Sequence, residues 1–342
     1  MWGMARPGSM LTSPQDASHG GGHAPTWAIW SAMWVVYIIW GSTYLAIAVV
    51  VETMPPFLAA AARFLVAGAM LYAWAIRRGD REGDRPTARH WRSAAIVGTA
   101  LLLGGNGMVQ WAEQTVPSGI AALLIATVPL WMAVMAGAVL RERMTWREVL
   151  GIAIGFGGVA LLVGPVGGEA RFDLVGIAAI LFAALSWAGG SLYARRAPLP
   201  SRPLVGTAME MLAGGVALAI VGVAAGELGR VDVAAFSLAS WIGLAYLVVF
   251  GSLAGFAAYA WLLRVARTSL VSTYAYVNPV IAVLLGWAIL NEAVTARTLI
   301  AGAVIVAAVA LIVSARAEQG EEEPSGEMGG ASVEAQDEQL SA

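Results

Sequence analysis

Arg63 and Glu210 are the two ionisable residues that stand deep inside long apolar stretches of this chain. A lone charge at the centre of a bilayer costs at least roughly 2.5–3.5 kcal/mol on insertion scales. Each must therefore face protein, water or the other. At 1.5 Å of rise per residue, Arg63 sits roughly 12 Å below one boundary and Glu210 roughly 10 Å from the opposite one. In a core about 30 Å thick their backbones differ in depth by only about 8 Å, within reach of two long side chains. Three chemistries fit: a structural ion pair, a proton or cation site at Glu210 tuned by Arg63, or an anion site at Arg63.

Other residues of the same depth carry polar or hinge chemistry. Pro129 and Pro279 each lie about eleven residues into an apolar stretch, where a missing N–H frees the carbonyl four residues back. Freed carbonyls at that depth suit a gate or a water-lined cavity, or a fixed bend. Asn278 adds an amide beside Pro279. Gly104-Gly105-Asn106-Gly107 allows close backbone approach, and Asn106 and Gln110 share a helix face at i, i+4. They either line a cavity or join helices. Trp40, Tyr44, Trp131, Tyr193, Tyr274 and Tyr276 could wall a pocket for an amphiphilic substrate, against the plainer roles of packing and anchoring.

These residues are positioned by membrane helices. Apolar residues make up 59% of the 342-residue chain and charged residues 12%, half of what a soluble domain carries. Lipid as solvent accepts that excess. Ten stretches are long enough to span: 27–50, 55–76, 91–111, 118–140, 147–164, 174–194, 203–225, 238–263, 268–290 and 298–313. Residues 1–26 and the acidic 317–342 read as disordered tails, and the former has no signal-peptide pattern. With the N-terminus cytoplasmic, sixteen arginines fall inside and three outside, with Arg63 in the membrane. That distribution follows the positive-inside rule and places both termini in the cytoplasm.

The chain also repeats itself. Residues 27–164 form a first five-helix repeat and 165–316 a second. At an offset of 150, Trp111 matches Trp261, Pro129 matches Pro279, Glu142 matches Glu292, Thr145 matches Thr295 and Arg147 matches Arg297. At 147, Trp40 matches Trp187, Pro56 matches Pro203 and Gly68 matches Gly215. Five is odd, so the second repeat enters from the opposite face. The expected fold is therefore all-α and integral to the membrane, ten transmembrane helices built as two inverted five-helix repeats. Inverted repeats are common among alternating-access carriers, with the substrate near the midplane.

The run Trp40-Gly-Ser-Thr-Tyr-Leu-Ala-Ile47, with Met54-Pro-Pro-Phe57 and Ala61-Ala-Arg-Phe64, resembles the drug/metabolite transporter superfamily, in particular its EamA-like ten-helix exporters. Arg141-Glu-Arg-Met-Thr145 and Asn291-Glu-Ala-Val-Thr295 resemble the same family's helix exits. The resemblance covers about residues 27–314 and implies a bacterial inner-membrane secondary transporter. Such carriers export amino acids, related metabolites or amphiphilic compounds, and have no cofactor and no nucleic-acid partner. Nucleotide-sugars or lipids are the alternative cargo. Trp187 is followed by Ala-Gly-Gly-Ser-Leu-Tyr, so roles at Ser42 or Tyr44 do not copy to the sixth helix.

An intramembrane enzyme is the rival class. The chain has no cysteine and no lysine, and His19, His23 and His90 all lie outside the spans. No His-Glu-x-x-His is present to hold zinc, and Ser191 has no intramembrane histidine to activate it. The expectation is a carrier with a small-molecule substrate, open as to proton coupling and as to monomer or homodimer.

Overall fold

The computed structural model describes residues 25–77, 86–139, 141–142, 144–164 and 173–339, with the backbone alone at 260, 263, 264, 268, 269, 317 and 319–339. The expected tail 1–26 falls, but for its last two residues, outside the described residues. Ten helical elements follow one another. They are α1 (Thr26–Val51), α2 (Pro56–Arg77), α3 (88–112), α4 (Ser118–Val139), α5 (Trp146–Val163) and α6 (Leu174–Ala194). Then come α7 (Pro203–Ala224), α8 (238–265), α9 (268–290) and α10 (Ala296–Gln339). Eight of them are long and apolar enough to cross a membrane unaided. The others are α3 and α9, whose longest apolar piece is Tyr274–Leu290.

Local chemistry fixes where the helices begin. Pro56 and Pro203 open α2 and α7, where proline's missing N–H costs nothing. Thr145 and Glu148 form a reciprocal capping box on α5, and Glu148 also accepts from Arg316 Nε at 2.8 Å, tying α5 to α10. The ends repeat as well. Arg141 and Asn291, 150 residues apart, are the two non-glycine residues with positive φ among those described, at 58° and 56°. After each, the Glu N–H reaches back six residues, Glu142 to Ala136 at 3.1 Å and Glu292 to Gly286 at 3.0 Å. Both helix ends thus close through a left-handed residue.

Packing reveals the two-fold axis. Gly68 on α2 meets Leu212 on α7, and Gly215 on α7 meets Leu65 on α2. Both pairs are related by the 147-residue offset, so the crossing is reciprocal, as an isologous contact must be. A side chain at either glycine would stand about 3 Å from leucine atoms, so only glycine fits. Other contacts come in mates: α1 with α9 and α6 with α4, α1 with α8 and α6 with α3, α2 with α8 and α7 with α3. The pairs α2–α7 and α5–α10 lie on the axis itself. Gly151 and Gly155 meet Ile312 and Ala308 of α10, so that glycine pair packs within the chain.

Three expectations change. Helices α3 and α8 are not regular: Thr99–Gly107 and Leu247–Ala254 are π-helical, at nearly equivalent places in the two repeats. The two midplane prolines do not make matching kinks. Helix α4 breaks at 126–127, just before Pro129, whereas α9 breaks at 272–273 and runs unbroken through Pro279. Each break is spanned by a threonine, Thr127 donating to the Leu124 carbonyl and Thr273 to that of Leu270, both at 2.6 Å. A hydroxyl returned to the backbone competes with the helical ladder at each break. Finally, the backbone of α10 stays helical through Gln339 where a disordered acidic tail was expected.

Candidate transport pathway

The loops 113–117, 225–237 and 291–295 lie at the arginine-poor end of the bundle, and 195–202 and 266–267 at the arginine-rich end. Between them, the first helix of each repeat presses a tryptophan onto the π-helical region of the opposite repeat. Trp40 of α1 seats on Gly255 of α8, and Trp187 of α6 seats on Gly105 of α3. A Cβ at Gly255 would come within 2.5 Å of the Trp40 indole nitrogen, and one at Gly105 within 2.7 Å of the Trp187 ring. No larger residue fits either seat without moving the ring. π-Helical segments recur at functional sites because they shift side chains around the helix axis.

The two seats differ in what surrounds them. On the α1–α8 side, Trp40 packs with Phe256, Tyr259 and Tyr274 at centroid distances of 5.6, 5.1 and 5.1 Å. Arg63 of α2 points into the same seam: its Nε donates to Ser252 Oγ at 2.9 Å, and its guanidinium lies 4.6 Å from the Phe64 ring centre. Arg63 is 3% exposed and Ser252 fully buried, while Nη1 has no protein acceptor. On the α6–α3 side, Ser186 donates to the Ala100 carbonyl at 2.8 Å. A groove of about 800 Å³ opens there between α2, α3, α6 and α7, lined by Phe57, Thr99, Leu103, Gly104 and Phe182, with Arg92 among its walls.

The ion pair considered for Arg63 and Glu210 is not formed. Arg63 turns to α8, whereas the half-buried Glu210 sets its backbone carbonyl against Gly98 of α3. Equivalent positions about a two-fold axis flank it instead of meeting on it. Among the described residues no hydrogen bond or ion pair holds the Glu210 carboxylate. Gln110 is 1% exposed and Asn278 8%, with Gln110 Oε1 and Nε2 and Asn278 Oδ1 all unpartnered. Asn106 is half-buried inside the π-helical segment. Tyr44 and Tyr276 are half-buried against the core shared by α4, α6 and α10, and Trp131 stacks edge-on with Phe156 of α5. Tyr193 does not join the aromatic group: it is 40% exposed near the end of α6.

The arginine-poor end is stitched shut by polar groups. Glu292 accepts from the N–H groups of Ser118 and Gly119 at 2.7 and 3.0 Å, capping α4. Glu227 does the same for α2, accepting from Phe57 and Leu58 at 3.2 and 2.9 Å. Carboxylates suit these sites because helix starts carry free N–H groups and a positive dipole end. Thr53 donates to Ser240, which donates to the Val49 carbonyl, joining α1 to α8. Thr115 donates to Asp173 at 2.8 Å, and this bond, with the Val175 N–H, holds the Asp173 carboxyl below the usual carboxylate range. Glu142, the repeat counterpart of Glu292, is exposed and makes no such bond among the described residues.

Sequence reasoning missed Glu113, Glu227 and Ser252. Glu113 follows the last residue of α3 and looks like an ordinary loop acid, yet it is 7% exposed and neither oxygen has a partner. Burial, and after it the nearby Glu292, push its carboxyl well above the usual carboxylate range. Its equivalent in the second repeat is Leu263, and that break in an otherwise regular match was the available signal.

Comparison with known proteins agrees with this architecture. An inner membrane transporter of Escherichia coli (strain K12), YedA, named as uncharacterized, is 42% identical over 287 residues, covering 83% of this chain and 90% of the relative. A protein of Streptantibioticus cattleyicolor named "Probable terminal-alkyne amino-acid exporter" is 30% identical over 292 residues, covering 83% and 93%. A solved crystal structure superposes with a TM-score of 0.58 at 23% identity, over 87% of this chain and all of the other, and shows the same fold. The EamA-like transporter family model matches residues 26–164 and 174–314, one match per repeat. The chain belongs to the EamA-like transporter family.

Proposed function

We propose that this carrier exports amino acids or closely related zwitterions across a bacterial inner membrane by alternating access, with its arginine-rich end and both termini in the cytoplasm. The observation that carries the substrate class is the unpaired state of Arg63 and Glu210. Two opposite charges that flank the two-fold axis without neutralising each other suit a ligand bearing both signs. Arg63 offers a guanidinium nitrogen to a carboxylate, with Ser252 holding the arginine in place. Glu210 offers a carboxylate to an ammonium group. The aromatic surfaces of Trp40, Tyr259 and Tyr274 suit the substrate's apolar body. The amino-acid exporter among the relatives supports this choice.

Alternating access is supported by the reciprocal packing about the α2–α7 axis and by the stitched arginine-poor end. A rocking motion about that axis would trade closure at one end for closure at the other. The protein acts without a cofactor and without covalent chemistry on its cargo. Efflux from vesicles preloaded with single amino acids, with and without a pH gradient, tests the reading. Glu210→Gln should lower efflux of amino acids while sparing analogues that lack the amino group. Equal loss for both classes would contradict the zwitterion assignment. The groove beside Arg92 favours a second reading, lipid cargo, which the same vesicles test with labelled phospholipid in place of amino acid.

A further inference from the structure

Just beneath the stitched end lies a set of polar groups that nothing in the packing requires. Glu113 is 7% exposed with both carboxyl oxygens unpartnered. Gln110, one helical turn deeper on α3, is 1% exposed with both amide atoms unpartnered. Ser118 Oγ, at the first residue of α4, is fully buried and also unpartnered. It shares its pocket with Glu292: a Cβ at Gly286 would touch the Glu292 carboxylate and stand 3.0 Å from Ser118 Oγ.

The two acids are held differently. Glu292 accepts from two backbone N–H groups at a helix start, which stabilise its charge. Glu113 has no donor and lies within the electrostatic reach of Glu292 and of Tyr44 from α1. The charges on the other packed elements are engaged elsewhere. Arg63 of α2 is on Ser252, and Asp173 at the start of α6 is on Thr115. Glu52 and Arg230 stand at the surface around Gln114. A buried carboxylate beside a second one, with no donor, is unfavourable, whereas a neutral carboxylic acid is tolerated. Packing alone would need only an apolar side chain, and the repeat equivalent is Leu263.

We propose that Glu113 is a proton-operated latch on the arginine-poor end of this transporter. It holds a proton while the arginine-poor end is closed and releases it to the water on that side when α4 and the 291–295 loop part. The O–H bond of the carboxyl breaks, the proton passes to water, and the carboxylate left behind is hydrated in the opened vestibule. Closing the end reverses the step: the carboxylate takes a proton back from the water on that same side as it is desolvated beside Glu292. The gating role rests on the carrier reading above; the proton site itself does not.

The test uses the full chain, which has no native cysteine, in proteoliposomes. A cysteine replaces Val283, a half-buried α9 residue that packs on Gly119 of α4. Separation of α4 from α9 exposes it further to an impermeant methanethiosulfonate. Its labelling rate, taken relative to that of an exposed control cysteine at Ala293 to remove the thiol's own ionisation, should rise up to about tenfold per pH unit, the limit for one proton released on opening. Glu113→Gln should label slowly at every pH, and Glu113→Asp should keep the dependence with a displaced midpoint. Infrared titration should show one protonated carboxyl band that Glu113→Gln lacks. A flat wild-type profile, or a Glu113→Gln profile that titrates like wild type, overturns the proposal. If substrate efflux then persists, the carrier reading stands without it. If labelling titrates as expected but no tested substrate moves, the proton site stands and the substrate assignment falls.

Discussion

The α1–α8 and α6–α3 seams are built on one plan and finished differently. Each seats a tryptophan on a glycine at a π-helical region of the opposite repeat, Trp40 on Gly255 and Trp187 on Gly105. The first seam is then filled by Arg63, Ser252 and a group of aromatic rings. The second holds Ser186 and an open groove. The duplicated scaffold thus supplies a symmetric frame, and the divergence of a few side chains makes its two seams chemically different. The ends show the same contrast: Glu292 caps α4, while Glu142 is exposed and makes no such bond among the described residues. A symmetric carrier needs such a difference, since both ends cannot be closed by the same bonds in one conformation.

The comparison breaks most visibly at Arg63. Arg63→Leu should cut efflux of carboxylate-bearing substrates at least roughly tenfold, about 1.4 kcal/mol, because the anionic group loses its charged donor. Ser186→Ala on the other seam should leave efflux within about twofold. The two ends are compared next. Glu292→Gln should destabilise the closed arginine-poor end by about 1.5–3 kcal/mol, as expected for charge-assisted hydrogen bonds. Glu142→Gln should shift stability by less than about 0.5 kcal/mol, read as thermal unfolding in the same detergent. Equal effects would mean that the contrast between the ends has no energetic content.

The tryptophan seats should behave as a matched pair. Gly255→Val and Gly105→Val should each cost about 1–3 kcal/mol through overpacking against the indole, measured by thermal unfolding. A large cost at one and none at the other would show that only one seat bears load. The smallest effect belongs to the Thr115–Asp173 bond. Because Thr115 lowers the Asp173 carboxyl, the bond's contribution is present above the ordinary aspartate range and lost as pH falls through the lowered value. Thr115→Val should therefore lower the unfolding temperature slightly at neutral pH and not at all at low pH.

Much of this was written in the chain. Ten apolar stretches, the two offsets, and the pairs Pro56/Pro203, Gly68/Gly215 and Glu142/Glu292 carry the helix count and the inverted repeat, because they depend on composition and spacing alone. Repeat position was legible too, since Arg63 and Glu210 stand 147 residues apart on the two equivalent helices. Azimuth was not. Whether Arg63 meets Glu210 or Ser252 depends on how α2, α7 and α8 rotate against one another, and that is set by the Gly68–Leu212 and Gly215–Leu65 contacts. The π-helical segments stayed hidden for the same reason, because a shifted hydrogen-bond ladder is stabilised by the facing tryptophans and not by Thr99–Gly107 itself. Glu113 was passed over since burial of a loop acid is a property of the closed end, not of its neighbours in sequence.

The account depends on the second five helices lying upside down beside the first. Single cysteines at Met144 and Ala293, both exposed on the two repeat-equivalent loops, can be placed in this cysteine-free chain and labelled with an impermeant reagent in intact cells. Ala293→Cys should react from outside and Met144→Cys only after the membrane is opened. Reaction of both from the same side would contradict the inverted arrangement, and the alternating carrier with it.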